Sequence, residues 1–293
     1  MSSAPASPLT ALPPDQRWQL VIRPRGRWFD LHLADLWRYR DLVAMLVRRD
    51  FISQFKQTIL GPAWFVLQPL LTTLVFMVVF GRIANLSTEG LPRMLFYLGG
   101  SVVWMYFSNV LTATANTFIG NAHLFGKVYF PRLAVPLALT LSNLLKFGLQ
   151  FLFFLCIWAG YAWRGADIHL TRVAGLAPLL VLVMAAQSLG LGILFSSLTT
   201  KYRDLRFLLE FGVRLLMYAA PVAYPLSALS GRLRWLLLLN PMTPVIEAFR
   251  VGFLGQGTFS WSLLGYSAGF AALVLVLGVA IFNRVEKTFM DTV

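Results

Sequence analysis

Between Lys56 and Arg82 the chain carries no charged residue. From Ile59 to Gly81 this run (ILGPAWFVLQPLLTTLVFMVVFG) is long enough to cross a bilayer as a helix, which takes about 20 residues. It follows directly on a basic, partly amphipathic segment, RYRDLVAMLVRRDFISQFKQ, residues 38–57. A charged helix at a membrane surface is therefore expected to turn straight into one that goes through it. At 100° per residue, Arg38, Asp41, Arg48, Arg49 and Lys56 gather on an arc of roughly 100°. Leu42, Val43, Leu46 and Val47 lie mostly away from that arc, while Met45 and Ile52 interrupt the pattern. The segment 38–57 is expected to be an interfacial helix; the plainer alternative is a positive flank that only sets orientation.

Composition agrees with a membrane-embedded chain. Of 293 residues 58% are hydrophobic and 13% charged, where a soluble domain carries about 25% charged residues. The net charge of +13 sits in short loops between apolar runs, which fits membrane topology and speaks against a nucleic-acid partner. A single cysteine, Cys156, leaves no intrachain disulfide and no cysteine-based metal site. Residues 1–37 form an N-terminal extension without an apolar core of signal-peptide length, so the N-terminus is expected to stay in the cytoplasm. Residues 1–16 are rich in Pro, Ala and Ser and are expected to be disordered; residues 17–37 would pack as a small cap or lie on the headgroups.

The predicted fold is an all-α integral membrane protein. Six spans are expected, at about 59–81, 94–119, 133–163, 173–198, 207–226 and 261–282, within a transmembrane domain of residues 58–293. Sixteen Lys and Arg residues flank the spans on one side and seven on the other, so both termini are expected in the cytoplasm. Residues 228–255 are different. They hold two apolar pieces, Trp235–Leu239 and Val245–Leu254, too short to span, with Asn240-Pro241 and Thr243-Pro244 between them. A re-entrant helical pair suits this pattern, and irregular backbone at that depth is tolerated only inside protein or beside a wet cavity. The alternative is a plain external loop.

Enzyme signatures are scarce. His32, His123 and His169 fall in separate loops, and no metal site is expected. Gly120–Val128 resembles a phosphate loop only loosely: five residues separate its glycines, and Val128 replaces the Ser or Thr that would hold magnesium. The polar residues within the spans are more informative. Asn143, Lys146 and Gln150 make one helical stripe, and a charge near mid-membrane costs about 2.5–3.5 kcal/mol on insertion scales, so the stripe should face protein or water. Glu210 and Arg214 stand at i,i+4 in the favourable order for an ion pair, as a brace or as polar lining of a substrate path. Asn109, Thr112, Thr114 and Asn116 make the second span unusually polar for a lipid-exposed helix. Gly265 and Gly269 make a candidate close-packing pair. Among the aromatic residues, Trp64, Phe65 and Phe76 of the first span and Phe207, Phe211 and Tyr218 of the fifth would either stack on sugar faces along a pore or pack against lipid.

Several of these pieces together resemble one family. Arg49-Asp50, Phe55–Trp64 and Gln68-Pro69 are similar to the first segment of permease subunits of ABC-2-type polysaccharide exporters, which carry O-antigen, capsule or teichoic acid. So are Leu124–Arg132, Tyr202-Arg203-Asp204, and Asn240–Pro244 followed by Arg250, all in order over residues 35–290. The resemblance implies a non-catalytic subunit in the bacterial plasma membrane, paired with a second copy of itself and with two P-loop ATPases that bind the ATP and magnesium. It implies a coupling loop over Asn121–Phe130, including His123, Leu124, Phe125, Lys127 and Tyr129. It implies a channel lined by the first and fifth spans, and an outer gate at 228–255 with Asn240, Pro241 and Pro244 at its break. Arg48, Arg49 and Lys56 would meet the phosphate of a carrier lipid. Such a permease would move a lipid-linked polysaccharide outward through the membrane lipids. Two alternatives remain: an ABC-2 permease for a drug or simple lipid, and a membrane-embedded polyprenyl-phosphate glycan transferase, for which Glu89, Asp167, Asp204 and Glu247 are too scattered.

Overall fold

The structure, a computed structural model, describes residues 33–121, 125, 130–199, 202 and 204–292, all within one compact unit, Leu31–Val293. Every regular element among the described residues is helical. Two helices, α1 (Leu33–Arg38) and α2 (Arg40–Ser53), precede the first span. That span, α3, runs Gly61–Ile83 as a 3-10 turn, an α-helix over Trp64–Phe76 and a π-helical end over Met77–Ile83. Pro62 fits its first turn because the missing N–H would have had no helical partner there. Then come α4 (Arg93–Ala115), α5 (Thr117–Gly120), α6 (Ala134–Trp163) and α7 (Ala177–Thr199), the last preceded by a 3-10 turn over Arg172–Leu176. The chain closes with α8 (Leu205–Tyr218), α9 (Gly231–Leu238), α10 (Thr243–Leu254) and α11 (Trp261–Thr292).

Five segments are long and apolar enough to cross a membrane: Gly61–Ile83, Arg93–Ala115, Ala134–Trp163, Arg172–Thr199 and Trp261–Val285. Their ends fall within a few residues of the expected ones, except that the second span stops at Ala115, because the backbone at Asn116 leaves the helix before α5 begins. The fifth expected span, 207–226, is realised differently. Its helix α8 has 14 residues, which rise about 21 Å against a hydrocarbon core of about 30 Å. Pro221 and Pro225 prevent it from continuing, and residues 219–228 go on as turns and a 3-10 segment. The segment expected to hold a re-entrant pair contains two short helices, α9 and α10, bent by 94° across the Leu239–Met242 break.

α4 is the hub. It packs on α3, α6, α7 and α10, and is buried without interruption from Leu95 to Phe107. Of the polar residues that follow this stretch, Thr114 is buried, whereas Asn109 is exposed. Gly99 and Gly100 let other elements approach α4, since a Cβ on Gly100 would stand 3.0 Å from the carbonyl oxygen of Val222. At the opposite end of the bundle from α10, α2 lays Val43 and Leu46 against α6, in a cluster with Phe118, Phe125, Phe130 and Phe282. The apolar face of α2 is thus largely covered by protein, while Met45 and Ile52, which broke its pattern, stay exposed.

α7 and α11 bring their backbones close together. A Cβ on Gly190 would meet the backbone nitrogen of Leu275 at 2.6 Å, and one on Gly278 would meet the carbonyl oxygen of Gly190 at 2.6 Å. Gly265 and Gly269, the pair expected to pack closely, face open space instead. Spacing alone cannot tell which side of α11 meets protein.

Candidate functional site

The polar residues of four helices converge on one groove. Its wider part, about 520 Å³, is lined by Gln68 of α3, by Ser108, Asn109 and Thr112 of α4 with Asn116 just beyond, and by Glu210 and Arg214 of α8. Its narrower part, about 260 Å³, is lined by Gln54, Phe65, Asn109, Ser142, Asn143, Lys146 and Gln150. Gln68, Asn109 and Ala113 belong to both parts. The stripe on α6 therefore faces protein and a cavity, as its insertion cost requires. Lys146 Nζ donates to Asn143 Oδ1 at 2.8 Å, Asn143 Nδ2 donates to the Leu139 carbonyl at 2.8 Å, and Gln150 Nε2 donates to the Phe65 carbonyl at 3.0 Å. The last bond ties α6 to the start of α3.

The expected Glu210–Arg214 pair does not form. Glu210 Oε1 instead accepts from Arg206 Nε at 3.2 Å, one turn earlier on α8, and Arg214 turns to the groove. Both basic residues are at i±4 from Glu210, so spacing was equally compatible with either.

The expected channel aromatics separate. Trp64, Phe207, Phe211 and Tyr218 are exposed on the outer faces of α3 and α8. Phe65 is half-buried among Phe51 and Phe55, with the Lys146 ammonium 6.0 Å from its ring centroid. Phe76 is 5% exposed and packs edge-on against Phe80 and Tyr97; in this arrangement it belongs to the core rather than to a pore wall.

At the α2 end, Arg48 and Lys56 are exposed, while Arg49 is held by Asp50 through Nη2 at 2.8 Å. In the expected coupling loop, His123, Leu124, Lys127 and Tyr129 lie outside the described residues. Asn121 donates to the Thr117 carbonyl at 3.1 Å. Phe125 and Phe130 are 4% and 5% exposed, their ring centroids 5.8 Å apart, so their rings anchor the segment in the hydrophobic cluster rather than offer a docking surface.

At the far end, the break between α9 and α10 is pinned on several sides. Asn240 Nδ2 donates to the Ala219 carbonyl at 3.0 Å and its Oδ1 accepts the Met242 N–H at 3.0 Å. The Pro241 carbonyl accepts from Ser267 Oγ at 2.7 Å, and Gln187 Nε2 donates to the same Ser267 Oγ at 2.8 Å. Pro244 is buried in the first turn of α10. Arg250, which follows this break on α10, is 1% exposed. It pairs with Glu247 at 3.0 Å, donates to the Val222 carbonyl at 3.0 Å and lies 3.9 Å from the Phe96 ring centroid. Glu247 Oε2 in turn accepts from the Thr258 N–H at 2.9 Å.

Sequence comparison places this architecture. The sequence model of the ABC-2 type transporter family matches residues 41–254. The chain belongs to the ABC-2 type transporter family. It is 26% identical over 252 residues to the O-antigen export system permease protein RfbA of Klebsiella pneumoniae, covering 86% of this chain and 94% of that protein. The RfbA of Myxococcus xanthus is also 26% identical, over 89% of this chain and 98% of its own length. The polysialic acid transport protein KpsM of Escherichia coli is 22% identical over 85% and 95%.

In this ABC-2 membrane protein, several groove residues escaped reading from sequence. Gln54, Gln68, Ser108 and Ser142 are isolated polar residues on four separate elements, and no periodicity joins them. The ion pair that locks the far end was equally hidden, because Glu247 and Arg250 stand at i,i+3 in a segment that also suits an external loop. The usable signal was their company: an acid and a base within an otherwise apolar helix, where each is costly alone.

Proposed function

We propose that this ABC-2 membrane protein is the permease subunit of an ATP-driven exporter that moves a lipid-linked polysaccharide, of O-antigen type, from the cytoplasmic side across the bacterial plasma membrane. The observation that carries the proposal is the polar groove among α3, α4, α6 and α8, in a chain aligned along nearly its whole length with polysaccharide-export permeases. Its amide and hydroxyl side chains both donate and accept hydrogen bonds, as sugar hydroxyls do, so they suit glycans without fixing one sugar order.

On this proposal two copies face each other. Trp64, Phe207, Phe211 and Tyr218, on the open faces of α3 and α8, form the facing walls. Arg48, Arg49 and Lys56 receive the carrier phosphate at the cytoplasmic surface. The loop Asn121–Phe130 meets a partner ATPase, with Phe125 and Phe130 transmitting its movement into the bundle. ATP and magnesium are bound by that partner, and this chain makes and breaks no covalent bond. The pair α9–α10 closes the outer mouth. Both termini face the cytoplasm.

Deleting the gene in a host that makes a surface glycan should abolish the glycan at the surface. The missing polymer should collect inside the cell, still attached to its lipid, where mass spectrometry of extracted lipids identifies it. Normal surface glycan with no internal product would refute the proposal, and accumulation of a simple lipid alone would favour a lipid permease.

A further inference from the structure

Lys146 is an unusual residue to find where it is. In the five long segments, every other Lys, Arg, Asp or Glu stands within two residues of an end. Lys146 is the thirteenth of the thirty residues of α6, about 18 Å along the helix, near mid-depth of a bilayer core. One of its three N–H donors goes to Asn143 Oδ1. Among the described residues no carboxylate forms an ion pair with it, and Asp50 acts on it only from beyond ion-pair distance. Two ammonium donors are left for the cavity that Gln68, Asn109, Ser142 and Gln150 help to line.

The wider part of the same groove adds to this. Its one carboxylate, Glu210, is already engaged by Arg206, whereas Arg214 has no ion-pair partner among the described residues. The groove thus carries a positive surplus at both ends, with neutral hydrogen-bonding groups between. A half-buried cation with unfilled donors is costly unless an anion meets it, and in a low-dielectric setting an anion is its strongest partner.

We propose that Lys146 is the anchoring cation of a site for a phosphate or pyrophosphate carried on a lipid, with Gln68, Asn109 and Gln150 holding the groups next to the phosphate and Arg214 adding positive potential from the other end of the groove. This site lies deeper than the surface residues Arg48, Arg49 and Lys56. It rests on the export proposal for the identity of the lipid, but not for the anion chemistry.

The test uses the purified full chain in nanodiscs of phosphatidylcholine, with binding of geranylgeranyl pyrophosphate compared with that of geranylgeraniol. The wild-type protein should prefer the pyrophosphate by about tenfold, equivalent to about 1.4 kcal/mol. Lys146→Gln should erase that preference and Lys146→Arg should keep most of it. Arg214→Gln, at an exposed position, should lower it by up to about fivefold, which keeps the test open if Lys146→Gln misfolds. An unchanged preference in both neutral variants, or none in the wild type, overturns the proposal. Displacement of the probe by an equal amount of phosphatidylglycerol would assign the site to bulk headgroups and overturn it too; so would displacement by inorganic pyrophosphate, which would show that the lipid is not read. Because binding is measured on isolated protein, a deletion strain with normal surface glycan would remove the export proposal and leave this one standing.

Discussion

Arg250 concentrates the energetics of the far end in one side chain. Its guanidinium ties α10 to the Val222 carbonyl and to the Phe96 ring of α4, and pairs with Glu247 one turn earlier on α10 itself. Its Nε is buried without a partner, so the arrangement binds three elements together at some cost in unmet hydrogen bonding. Removing one member of a buried pair strands the other charge, at about 3–5 kcal/mol. Arg250→Met should therefore lower thermal stability in detergent strongly. The double variant with Glu247→Gln should recover a large part of the loss, since no charge is then left stranded, while the Thr258 N–H keeps an acceptor. Equal unfolding temperatures for the single and double variants would show that charge pairing is not what holds this end. Arg250→Lys should not substitute fully, because an ammonium cannot stack on Phe96 and reach the carbonyls with a planar fork.

At the level of elements, glycine position decides how the bundle closes. In a membrane the helices gain little from leaving lipid, so close backbone contact supplies much of the association. The α7–α11 contact at Gly190 and Gly278 admits no Cβ without backbone movement. Gly190→Ala and Gly278→Ala should each cost about 1–3 kcal/mol, whereas Gly265→Ala and Gly269→Ala should stay within about 0.5 kcal/mol. Thermal unfolding of the four variants checks this, and a uniform response would mean that α11 packs by another face.

For the whole molecule, the unpaired surface matters most. The exposed faces of α3 and α8 carry Trp64, Leu71, Val75 and Val78 on one and Phe207, Phe211 and Tyr218 on the other. On the proposed function these faces meet a second copy. In a Cys156→Ser background, which removes the exposed native thiol, Phe211→Cys should cross-link into a dimer under mild oxidation in membranes. A control on the same helix that points elsewhere, Leu209→Cys, should not. Cross-linking at neither position would leave these faces to lipid.

Read along the chain, hydropathy and charge were enough to specify an all-helical membrane protein, the ends of most spans, and the helix break at Asn240-Pro241. Those features follow from local rules: a bilayer of fixed thickness demands a fixed length of apolar helix, and proline and asparagine interrupt it wherever they stand. The α6 stripe was legible for the same reason, since its three residues share one helix. What only the folded molecule decided was pairing between elements. It set Arg206 against Glu210, put Arg250 in the core, turned Phe125 inward and brought Gln68 and Asn109 to Lys146. A side chain's spacing records its own helix but not the neighbour that helix will meet, and packing across helices is what makes the groove.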